Sequence, residues 1–119
     1  MLHRERQMTQ SWNLTPAEDS WKPAGQAANA FSSPVADGRE HLPRRIATWR
    51  GLPGRYDRPQ GMPWSETFVV YDGTGVLRHD DETIDLKPGT IVNLRQGQAY
   101  VMEIFTTLEK MAVIWDGRD

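Results

Sequence analysis

Within PQGMPWSETFVV, residues 59–70, one carboxylate falls on the face of a strand that should be apolar. Side chains alternate across a strand, so residues two apart share a face. Gln60, Met62, Trp64, Glu66, Phe68 and Val70 form the larger and mostly apolar set, against Pro59, Gly61, Pro63, Ser65, Thr67 and Val69. The first set is expected to face a protein interior, and Glu66 must go with it. A carboxylate there is costly unless it is paired, hydrogen-bonded or bound to a cation. Two chemistries follow. Apolar walls would raise the Glu66 pKa and suit it to general acid or base work, with Tyr100 hydrogen-bonded to it. Alternatively, Glu66 is a structural carboxylate paired with Arg55, Arg95 or Lys110. The residues leave both open.

Other side chains could serve a ligand at the same place. Tyr100 and Met102 share a parity with Ile104 in QAYVMEIF, and the stripe reads either as core or as part of a pocket wall. Gln60 could hydrogen-bond a ligand or cap a turn, Met62 and Met102 could line it, and Trp49 and Trp64 could stack on a sugar or planar group or simply pack. Arg44, Arg45, Arg50, Arg55 and Arg58 form a local basic cluster suited to a carboxylate or a sugar phosphate. Arg55 or Lys110 would orient such an anion. Histidines occur only at 3, 41 and 79, too dispersed for a metal cluster, and HDDE reads as a charged turn. No Gly-x-Ser-x-Gly elbow and no phosphate loop of the Gly-x-x-x-x-Gly-Lys type occurs.

Short strands must position these groups. From Arg45 onward the chain reads as strands separated by Gly, Pro and Asp: RIATWR, then a turn LPGRYDRPQG, then SETFVVY and GVLRHD as a hairpin closed by DGTG. ETIDLKPG, GTIVNL, QAYVMEIF and EKMAVIW complete the series. This spacing predicts an all-β sandwich or barrel over residues 45–119. Residues 1–44 read as an extended N-terminal arm. It carries one short helical turn begun by Thr15, Pro16 and Glu18, and its aromatics Trp12, Trp21 and Phe31 predict docking onto the barrel or a partner subunit.

Two glycine-framed patterns resemble a known family. Gly54-x5-Gln60-x-Met62-x3-Glu66-x6-Gly73 resembles the first motif of the cupin superfamily, and Gly89-x5-Arg95-x-Gly97-x2-Tyr100-x3-Ile104 resembles the second. With TWRGLPGRY and EKMAVIW, the chain is most similar to small single-domain cupins related to ureidoglycine aminohydrolase and the ethanolamine-utilisation cupin. The resemblance implies a jelly-roll β-barrel, a site at its mouth and a homodimer. It also implies a metal held by three histidines and a glutamate, at positions occupied here by Gln60, Met62, Tyr100 and Glu66. Only Glu66 is a good ligand for a hard divalent cation, so neither a tightly bound metal nor any other cofactor is expected. Met102 stands where the group often carries tryptophan.

The chain's 119 residues suit one domain, and 38% hydrophobic with 25% charged residues suits a globular one. A formal charge of −2 gives no broad attraction to nucleic acid or membrane, and the absence of cysteine excludes thiol chemistry. No secretory signal is read at the start, so a cytoplasmic location is expected. The functional expectation is binding, or metal-independent acid/base turnover, of a small polar or anionic molecule. The alternatives are a metal-dependent enzyme acting on a nitrogen-containing or carbohydrate metabolite and a non-catalytic structural or regulatory barrel with a filled interior.

Overall fold

A computed structural model describes residues 20–23, 29–36 and 45–115, with backbone only for 34–36. Every regular element in it is a strand: β1 (Lys22–Pro23), β2 (Ala30–Ala36), β3 (Arg45–Gly51), β4 (Gly54–Arg58), β5 (Ser65–His79), β6 (Glu82–Leu86), β7 (Ile91–Leu94) and β8 (Tyr100–Trp115). All pairings are antiparallel. The helix start at Thr15 to Glu18 lies outside the described residues.

β5 and β8 each serve two layers. The first half of β5 and the second half of β8 pair with each other, flanked by β7 on one side and by β3, β2 and β1 on the other. The remaining halves pair again, flanked by β6 and β4. Alternation decides what faces inward. Along β8, Tyr100, Met102, Ile104, Leu108, Lys110, Ala112 and Ile114 are buried while the residues between them are less so. Their apolar members join Tyr56, Phe68, Leu77 and Leu94 in one core between the layers.

Three sequence expectations change. DGTG does not close a hairpin, because β5 runs unbroken through it with register shifts between Val70 and Gly75. Such bulges bend a strand instead of reversing it. Gly73 makes the bend possible: its φ is +86°, and a side chain there would strike the Thr107 carbonyl and Leu108 on β8. The reversal comes later at Asp80, whose φ of +53° begins the β5–β6 turn. QAYVMEIF and EKMAVIW are likewise one strand, and the expected turn LPGRYDRPQG contains β4.

Part of the N-terminal stretch docks on its own barrel. β2 pairs with β3 along its length, Trp21 covers Arg50 at 4.5 Å, and the Ser20 and Ser33 hydroxyls meet at 2.9 Å. Trp12 lies outside the described residues.

Candidate functional site

Glu66 enters the interior from the start of β5, as the alternation predicts, and is 5% exposed. It lies level with Ile114 of β8, whereas Lys110 lies level with Val70 and with Trp49 of β3. Ala47, Ala112 and Phe68 form the row between. The two alanines leave room for the lysine to lie along the inner face toward the carboxylate. Its Nζ donates to Glu66 Oε2 at 2.6 Å, and Lys110 is only 6% exposed.

Aromatic faces complete the ammonium's surroundings. Phe68 lies 4.0 Å and Trp49 5.1 Å from Nζ, measured to the ring centroids, and both present electron-rich faces to the cation. Trp49 is placed by Gly51, where any side chain would collide with the indole, and by an edge contact with Tyr56 at 5.5 Å. On its other oxygen, Glu66 Oε1 accepts a hydrogen bond from Trp64 Nε1 at 3.0 Å. Both carboxylate oxygens are thus engaged.

Burial pushes the Glu66 carboxyl up, but the Lys110 charge and hydrogen bond, the Trp64 hydrogen bond and the Arg58 charge together hold it below its ordinary value. Tyr100 makes no hydrogen bond to Glu66. Of the two readings the sequence left open, the geometry matches the paired carboxylate: Glu66 meets Lys110 Nζ and Trp64 Nε1, and its carboxyl is held down instead of raised. Of the three cations proposed as its partner, Lys110 is the one present. Arg55 points outward and binds both oxygens of Asp57, at 3.0 and 2.9 Å, and Arg95 is exposed in a turn.

Two arginines that the sequence reading held only within a cluster frame this end of the barrel. Arg45 is level with Ile114 and Glu66, and Arg58 is level with Tyr100. Their Cζ atoms lie 5.0 and 5.8 Å from the centroid of Trp64. A usable signal was present for Arg58, which shares strand parity with the inward Tyr56. None marked Arg45, because only strand pairing sets it level with Glu66.

The structure therefore brings Glu66, Lys110, Trp64 and Trp49 together. Met62 and Met102 lie in the buried core, as does Tyr100, whose rim also lines an outer cleft of about 560 Å³ with Arg55, Arg78 and His79. Gln60 is exposed in the turn after β4. His79 lies on that outer side, with Nδ1 2.7 Å from the Ala99 carbonyl. His3 and His41 fall outside the described residues.

These residues do not fit the metal that the cupin resemblance implies. The one good ligand already holds an ammonium 2.6 Å away, Met62 offers a soft thioether within the core, and Gln60 faces solvent. Among the described residues, no three His, Cys, Asp or Glu side chains converge.

No protein-family model and no curated protein matches the chain. Solved structures do. An ethanolamine utilization protein Q from Salmonella typhimurium superposes with a TM-score of 0.70 at 13% identity, over 91% of this chain and 96% of that one. A protein of unknown function from Rhizobium leguminosarum gives 0.69 at 20% identity, over 92% and 99%. The cupin domain of an XRE family transcriptional regulator from Enterobacter cloacae gives 0.61 at 18% identity, over 76% and 99%. The two-layered antiparallel barrel, with its glycine-bent fifth strand, has the cupin fold.

Proposed function

We propose that this protein binds a small polar or anionic molecule at the end of the barrel where Trp64 lies, and that it does so without a tightly bound metal. One observation supports the reading: three cationic side chains gather at one carboxylate's end of the barrel, with Lys110 bonded to Glu66, Arg58 acting on it through its charge, and Arg45 beside Trp64, which donates to it. Lys110 neutralises Glu66 from within, which leaves the arginines' charge uncompensated. Clustered positive charge that is partly withdrawn from water attracts anions. Binding is favoured over acid/base turnover, because an ionised Glu66 with both oxygens engaged is a poor proton acceptor.

A filled structural or regulatory barrel is the second reading, favoured by the placement of Met62, Phe68, Met102 and Ile104 in the core. A cytoplasmic homodimer remains part of the proposal. Ile91, at 69% exposed, and Phe105, at 56%, are apolar side chains that a second copy could cover. Among the described residues no helix is long and apolar enough to cross a membrane.

Thermal melting against a panel of small carboxylates, phosphates and neutral amides, before and after dialysis with a chelator, tests the reading. Anions are expected to raise the melting temperature and the chelator to leave it unchanged. A flat response across the panel supports the filled barrel instead. Stoichiometric metal, with melting lowered by the chelator, overturns the metal-free site.

A further inference from the structure

Two guanidinium groups share one indole at the Trp64 end of the barrel, and neither forms a salt bridge among the described residues. Arg50, Arg55 and Arg78 each face a carboxylate, Glu109, Asp57 and Glu103 respectively. Arg45 and Arg58 do not. The contrast is sharpest at Arg58, whose Nε is buried with no hydrogen-bond partner. A buried N–H without an acceptor carries the full cost of its desolvation, so native structures rarely leave one.

No neighbouring group supplies the missing acceptor. The Trp64 ring, 5.8 Å from Arg58 Cζ at its centroid, answers the cation's charge and offers Nε–H no acceptor. Glu66 is close enough for its charge to act on Arg58 or the reverse, yet its oxygens are taken by Trp64 Nε1 and Lys110 Nζ. Asp57, the next residue along β4, alternates to the outer face and holds Arg55.

The missing partner is therefore negative, flat and small enough to enter beside Trp64. A guanidinium edge presents two parallel N–H groups, and a carboxylate matches them in one plane. We propose that this end of the barrel binds the carboxylate group of a small organic acid, held in the plane of Arg58 through its buried Nε–H, with Arg45 supplying a second positive charge across Trp64. The proposal rests on the reading that this end of the barrel takes a small anion, and it names the chemistry recognised there.

The test titrates the full chain with malonate, inorganic phosphate and malonamide by calorimetry, while NMR follows the arginine Nε–H resonances. Malonate is expected to bind saturably and to move the Arg58 Nε–H, and malonamide to stay silent. Arg58→Lys keeps the charge but loses the planar edge, and is expected to weaken malonate between about tenfold and about a hundredfold. Arg78→Gln, on the outer face, is expected to bind as the wild type does. Thermal melting of each variant checks that it is folded.

Malonate binding unchanged in Arg58→Lys overturns the assignment, as does malonamide or phosphate binding as tightly as malonate. Phosphate bound with malonate silent also overturns it, yet leaves the anion-binding reading standing. Silence of all three probes overturns the carboxylate assignment, and the broader panel of anions then decides the fate of the underlying reading.

Discussion

Glu66–Lys110 and Arg55–Asp57 are ion pairs of similar length, 2.6 and 2.9 Å, one inside the barrel and one on its outer face. The first lies inside the barrel with side chains 7% and 8% exposed; in the second, Arg55 is 66% exposed. Length says little about what either contributes. Water screens the outer pair and can replace either partner, whereas in the inner pair each charge is the other's main compensation. The inner pair is not thereby a net source of stability, since two desolvated ions cost much of what their attraction returns. Its effect is conditional: each member becomes a liability once the other is removed.

Breaking the inner pair from one side has the largest expected effect. Lys110→Met leaves Glu66 buried without its ammonium and is expected to cost about 3–5 kcal/mol in urea unfolding. The double variant Glu66→Leu/Lys110→Met removes both charges and should return to within about 1 kcal/mol of the wild type or exceed it. A double variant as unstable as the single one would mean that the pair organises the barrel end beyond its own charges.

Acid should break the same pair without mutation. Burial raises the Glu66 pKa, but Lys110, Trp64 and Arg58 outweigh it, so the folded-state value lies below the ordinary 4.5. A carboxyl with a depressed folded pKa stabilises the native state above its unfolded value, and that contribution is lost as pH falls through the folded one. The stability gap between wild type and Glu66→Gln, followed by melting from about pH 7 to about pH 2, is therefore expected to narrow below about pH 4.5. A constant gap would place the effect of Glu66 in packing.

The outer pair sharpens the contrast from the weak side. Arg55→Gln is expected to change stability by no more than about 1 kcal/mol, with even that reduced by added salt. A loss comparable to that of Lys110→Met would show that the outer face carries a buried network of its own.

How much of this was legible depended on the range of the signal. Parity placed Glu66, Phe68 and Val70 inward, because alternation is a property of any extended strand. It also held for Tyr100, Met102 and Ile104. Parity could not say whether DGTG reverses the chain or bends it, since Gly73 with positive φ serves either geometry. The close approach of β8 to Gly73 selected the bend. Gln60 shared the inward parity and still faces solvent, because the strand begins only at Ser65. Choosing Lys110 over Arg55 as the partner of Glu66 needed the register of β8 against β5, which local sequence does not carry.

The sequence by itself determined a cupin-like barrel: the glycine frame, the strand periodicity and the identity of Glu66 are local, and local pattern is enough to read them. Tertiary structure alone decided the charge of that carboxylate and the company it keeps. Lys110 is 44 positions away along the chain, at a small alanine row that opens its path, and Arg45 and Arg58 come from two different layers to meet on one indole. Electrostatic compensation in an interior depends on distance and exclusion of water, and both exist only once the strands have paired.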